Sequence, residues 1–158
     1  MTVLVAGIGN LFSSDDGFGP EVARRLADPA PGPVGRVRVV DYGIRGMHLA
    51  YDLLDGYDAL VIVDAVPQGD AAGEITVLQV GPDDLGRGDV DPHGMDPVAV
   101  LASLRQLGGT LPPTYVVGCR PATTEDGIGL SEPVAAAVPV AVGVVGRLVD
   151  DLLVRAEA

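Results

Sequence analysis

Lysine is absent from this chain: all ten of its Lys-plus-Arg residues are arginine. That removes a Schiff-base lysine, a Ser-Lys dyad and the lysine of a phosphate-binding P-loop. Cysteine occurs once, at Cys119. An intrachain disulfide and a multi-cysteine zinc site are therefore excluded, which suits a reducing compartment. No apolar run reaches the roughly 20 residues of a membrane span; the longest, Val134 to Gly146, is interrupted by Pro139. The first residues lack a basic segment followed by an apolar stretch of signal-peptide length, so a cytoplasmic protein is the expectation. Positive charge is scarce, 10 basic against 22 acidic residues for a formal net charge of −12. Nucleic acid and anionic membrane surfaces are thereby disfavoured as partners.

What is present is ample for a folded core. The chain has 158 residues, 47% of them hydrophobic, and no internal repeat or low-complexity tract. One domain over residues 1–158 is expected. Its organising stretch is Val3 to Gly19, where an apolar run breaks at Gly7 and becomes a loop carrying Asp15 and Asp16. Helix resumes near Pro20, which a first turn tolerates, with Glu21 suiting the helix dipole. A strand feeding a Gly-rich loop and then a helix opens an α/β sheet whose binding crevice lies at the carboxyl ends of its strands.

Taken in order, Val3 to Ala6 reads as a buried strand and Gly17 to Ala27 as its crossover helix. Val37 to Val40 is a second strand ending at Asp41, with a short helix from Met47 to Leu54. Ala59 to Val63 is the clearest central strand and stops at Asp64. Gly73 to Val80 reads as an antiparallel edge strand, since no helix precedes it. Gly81 to Asp91 is loop, and Asp96 caps a helix from Pro97 to Leu107. Thr114 to Gly118 is the last strand; Ser131 caps a final helix running toward Arg155 with a kink at Pro139. The pattern is βαβαββαβα, a layered α/β domain with about five strands, mostly parallel.

Asp16 follows the first strand and Asp64 ends the third, so both carboxylates are expected in one crevice. His93, before the Pro97 helix, can close over them. Two carboxylates and an imidazole make an O,O,N set suited to nickel, zinc or manganese, with coordination positions left open. Each residue alone has an ordinary reading. An Asp after a strand commonly caps a turn, and loop histidines are common. Asp64 is the stronger signal, because a charge placed after five apolar residues is costly to desolvate without a partner. Other constellations fit less well. Gly7-Ile8-Gly9 suggests a dinucleotide loop, but Phe12 occupies the third glycine's place and Ser13 to Asp16 would oppose a pyrophosphate. Ser13 and Ser14 lack a Gly-x-Ser-x-Gly elbow. Cys119 reads as a buried, inert thiol, His48 as a surface residue, and Asp41 as a crevice residue or a cap.

With these residues in hand, the chain resembles the hydrogenase maturation proteases, which trim the C-terminal extension from the large subunit of nickel-iron hydrogenases. Nearly the whole chain is involved. The resemblance rests on Gly7-Ile8-Gly9-Asn10, Asp15-Asp16-Gly17-Phe18-Gly19-Pro20, Asp41 with Gly43 and Gly46-Met47, and Ile62-Val63-Asp64-Ala65. It continues through Pro92-His93, Gly118, Pro121, Glu125 and Gly129-Leu130-Ser131. It implies a three-layer α/β/α fold, with helices on both faces of a twisted sheet. It also implies that the nickel-recognising positions are Asp16, Asp64 and His93, the first being Glu in some members.

The activity implied is that of an endopeptidase acting on a nickel-iron hydrogenase large-subunit precursor once nickel is installed. The metal would then come with the substrate. Asp16 or Asp64 could serve as general base, nickel could polarise the scissile carbonyl or activate water, or the nickel site could only position the bond. An aspartic-type and a metal-dependent mechanism both stay open. A non-catalytic metal-binding chaperone or sensor for hydrogenase assembly is the alternative, with a serine hydrolase using Ser13 or Ser14 as a third option.

Overall fold

Strand β1, Val3–Ile8, is apolar or glycine throughout and buried at every position, as a strand covered on both faces must be. In the computed structural model, which describes residues 1–27, 29–81 and 97–157, a 3-10 turn over Ser14–Gly17 leads into helix α1, Phe18–Leu26. There follow β2 (Val37–Gly43), α2 (Gly46–Leu53), β3 (Ala59–Ala65), β4 (Ile75–Val80), α3 (Pro97–Gln106), β5 (Thr114–Cys119) and α4 (Glu132–Glu157). The element order is the one expected. The strands align β2-β1-β3-β5-β4, with β4 alone antiparallel and at the edge.

Alternation along each strand divides the interior into two cores. Val3, Val5, Val61, Val63 and Val117 point toward α1 and α4. Leu4, Ala6, Leu60, Ile62 and Val116 point toward α2 and α3. Three layers result, because each helix buries one apolar stripe on its own side of the sheet.

Several boundaries differ from those expected. β1 and β2 run further, to Ile8 and Gly43, and β3 continues through Asp64 to Ala65. Pairing explains this: Asp64 and Ala65 stay in register with Gly118 and Cys119 of β5, so ladder bonds carry the strand past its apolar run. Helix α4 passes through Pro139 without a break. Pro139 and Ala135, whose carbonyl the missing N–H would have met, are both exposed, so water can take that carbonyl. The expected loop at 82–91 and the Asp96 cap lie outside the described residues.

Glycine sets how closely α1 approaches the sheet. A Cβ on Gly19 would overlap the carbonyl oxygens of Val63 and Ile8, and one on Gly7 would overlap Gly19 and Ala23. The amino end of α1 therefore rests directly on the carboxyl ends of β1 and β3. Gly19→Ala is expected to destabilise the fold by about 3 kcal/mol, since both obstructing atoms are backbone. A urea melt within about 0.5 kcal/mol of the parent would show that the helix can lift without cost.

Candidate active site at the carboxyl edge

The close seat of α1 brings the 3-10 turn against the end of β3. Asp16 belongs to that turn and follows β1; Asp64 lies near the end of β3; β1 and β3 are adjacent and parallel. The two carboxylates thus share one edge of the sheet. Asp64 is 5% exposed and Asp16 is half-buried. Asp16 accepts the Asn10 N–H through Oδ2 at 2.8 Å. A carboxylate offers about four lone-pair sites, so this bond orients the side chain without exhausting it as a ligand. Gly9, at φ +147°, makes the bond possible, since any Cβ there would strike the Asp16 backbone. His93, the third residue of the expected set, lies outside the described residues. Among the described residues no group of three or more His, Cys, Asp or Glu side chains could hold a metal ion.

Asp41, at the end of β2, turns its Oδ1 to the Gly43 N–H at 2.9 Å and is exposed. It closes the turn that the φ of +55° at Gly43 requires. Of the two readings open for Asp41, the structure supports the cap. His48 is exposed on α2, as expected. Two arginines near this edge donate to backbone carbonyls. Arg45 reaches Asp41 O at 3.0 Å, and Arg120 reaches Pro67 O and, at 3.0 Å, Gly69 O.

The residue that sequence reasoning passed over is Asp15. It is fully buried and accepts four hydrogen bonds from the segment between β5 and α4. The donors are Ala122 N (2.8 Å), Thr123 N (3.2 Å), Ser131 N (2.7 Å) and Ser131 Oγ (2.8 Å). Burial alone would raise its pKa. The hydrogen bonds, led by that from the Ser131 backbone, reverse this and hold the carboxyl below its ordinary 3.8. Ser131 donates its hydroxyl to Asp15, and its carbonyl accepts Ala135 N–H at 2.8 Å, so this residue ties the start of α4 to the buried acid. The only available signal was an acid paired with a second acid before a helix, which does not say which of the two faces inward.

Further bonds join the same two segments. Ser14 donates its amide to Gly127 O at 2.9 Å and its hydroxyl to Glu125 O at 2.8 Å, and Gly127 N donates to Phe12 O at 2.9 Å. Committed to a carbonyl and held at φ +50°, the Ser14 hydroxyl is part of a loop fastening. Cys119 is buried, and burial followed by the charge of Asp15 pushes its thiol up to about 11. At pH 8 it stays protonated and inert. Alkylation by iodoacetamide is expected only on unfolding. Cys119→Ala should keep parental activity and lose about 1 kcal/mol of stability; complete inactivation of a folded Cys119→Ala protein would restore a thiol mechanism.

Comparison with known proteins converges on one group. The family model described as hydrogenase maturation protease matches residues 20–147. The Escherichia coli hydrogenase 2 maturation protease is 31% identical over 143 residues, 87% of this chain and 84% of that protein. The hydrogenase expression/formation protein HupD of Rhodobacter capsulatus is 31% identical over 136 residues, 85% of this chain. The chain spans 64% of the length of that relative and 65% of HupM from Azotobacter chroococcum. Among solved structures, the hydrogenase maturating endopeptidase HybD of E. coli superposes with a TM-score of 0.79 at 29% identity, covering 96% of this chain and 93% of that one. An acidic sheet edge built on a glycine-seated helix, a matching fold and a family match that includes Asp64 and His93 lead to one assignment: the chain belongs to the hydrogenase maturation protease family.

Proposed function

We propose that this protein is an endopeptidase that removes the C-terminal extension of a nickel-iron hydrogenase large-subunit precursor after nickel insertion. Asp16, Asp64 and His93 recognise the nickel the precursor carries. The observation that carries this reading is that Asp64, near the end of β3, and Asp16, in the turn that follows the adjacent parallel strand β1, lie toward the same edge of the sheet in a member of this family. Two carboxylates on one rim favour a cation, and an imidazole joining them would suit a metal of intermediate hardness. Three ligands leave room for donors already on the precursor's metal, as expected if the nickel belongs to the substrate.

Hydrolysis then requires water to add to the carbonyl carbon beside the metal, the C–N bond to break and the amine to take a proton. Asp16 or Asp64 can accept the water's proton, and fixing the bond against the metal supplies orientation. The setting is cytoplasmic in this reading, and the chain's one thiol is buried and free. Nickel-loaded and nickel-free precursor, each incubated with the protein and weighed by mass spectrometry, test it. Loss of the tail only from the loaded form is expected. A tail left intact on demonstrably loaded precursor would point to a non-catalytic sensor.

A further inference from the structure

Beside the carboxyl edge lies a groove of about 480 Å³, walled by Leu11 to Gly17 and α1 on one side and by residues 128–138 on the other. Ser14 and Gly17, on either side of Asp16, both line it, so groove and site share the 3-10 turn. Val138 and Leu130 form its apolar base, while Leu11, Phe12 and Ile128 stand 51%, 69% and 84% exposed around it. Isolated apolar side chains on a surface need no explanation, but three large ones around one concavity mark a binding site. The groove is preformed, because the Ser13–Gly127 bridge and the Asp15 hydrogen bonds join its two walls.

Its charge narrows the occupant. Among the described residues lining it, the one cation is Arg25, which shares Glu21 (3.2 Å) with Arg24 (2.6 Å), so positive charge on the α1 wall is only partly offset. The opposite wall is flanked in sequence by exposed acids: Glu125, whose carbonyl accepts the Ser14 hydroxyl, and Asp126 before Ile128, and Glu132, three residues before Ala135. The volume falls within the usual range for ligand sites, roughly 300–1,000 Å³, room for a few side chains and not for a packed helix.

We propose that this groove binds an extended segment of the polypeptide being processed, one that carries bulky apolar side chains with arginine or lysine next to them. The inference rests on the proteolytic reading and adds the chemistry of the segment that lies beside the cut. The apolar side chains would fill the space between Phe12 and Ile128, and the cations would meet the acids that flank the opposite wall. An acidic or purely polar segment would leave the groove empty and be repelled there.

Fluorescence anisotropy separates this inference from cleavage itself. Two labelled peptides share a Leu-Ile-Phe centre, one flanked by arginines and the other by glutamates. The arginine peptide is expected to bind at least about 10-fold tighter at low salt, with the gap narrowing as salt rises. Phe12→Ser and Ile128→Ser, both at exposed positions and expected to melt like the parent, should each weaken it by about 10-fold. With nickel-loaded precursor the same variants should raise KM by a similar factor and leave kcat within about 2-fold. Equal binding of the two peptides, no binding of either, or parental affinity in both variants overturns the groove assignment. Binding that follows the expected pattern with no cleavage of loaded precursor supports the groove and counts against the proteolytic reading alone.

Discussion

Asp64→Asn and, separately, His93→Ala are expected to stop processing of nickel-loaded precursor, with rates falling by about 100-fold or more. Neither should unfold the protein. Asp64→Asn keeps the shape of the side chain and one acceptor oxygen while removing the charge, and so isolates what the carboxylate does electrostatically. Asp64 sits where β3 leaves its apolar run yet stays paired with β5. Its backbone is therefore held by the ladder whatever its side chain carries. Processing is read by mass spectrometry and folding by thermal melt. A variant that cuts at the parental rate removes that residue from the ligand set. A variant that has lost its cooperative melt says nothing about ligation, which is why the isosteric amide is the substitution of choice.

Asp15→Ala is expected to cost about 3 kcal/mol of stability. Each of its four donors becomes a candidate unsatisfied group worth roughly 1–3 kcal/mol, and those that reach water recover part of that. Ala122 and Thr123 are exposed and can do so. Loosening residues 122–131 also frees one wall of the groove and the turn bearing Asp16, so processing should fall together with stability. Asp15→Asn keeps one acceptor oxygen and should recover part of both.

A pH signature accompanies this role. The folded carboxyl titrates below its ordinary 3.8, so its contribution is complete above that value and is lost as pH falls through the lower, folded one. The gap between parent and Asp15→Ala in urea melts should therefore be larger at pH 7 than near pH 3. An equal gap at both pH values would show that the ionised carboxylate stabilises the fold no more than the protonated one.

Much of the architecture was readable from the residues because burial on both faces leaves an unmistakable mark. Val3 to Ala6 and Ala59 to Val63 have no polar residue to expose, so both had to be central, and they are neighbours in the sheet. Gly73 to Val80 follows β3 with no helix between, and its edge position follows from that. Strand ends were harder, since Asp64 and Asp41 are held in β3 and β2 by partners distant in sequence. Ser131 shows the same limit. A serine before a helix has the chemistry of a cap, and only the fold shows that an acid more than 100 residues away, Asp15, claims its hydroxyl. That Asp16 and Asp64 lie toward one edge of the sheet could be expected from strand order alone, because parallel neighbours bring their carboxyl ends together. The hydrogen bonds of Asp15 and the meeting of Phe12 and Ile128 at one groove come from loop-to-loop contacts, which have no periodicity to read.

The nickel itself offers the most direct test of whether Asp16, Asp64 and His93 meet around a cation carried by the substrate. X-ray absorption at the nickel edge, recorded on loaded precursor alone and on precursor mixed with equimolar protein and frozen before turnover, reports each ligand the metal gains. Added oxygen or nitrogen scatterers with the parent protein, absent with the Asp16→Asn/Asp64→Asn double variant, are the result this reading requires. A nickel spectrum unchanged by a protein that still binds and cuts the precursor would contradict it.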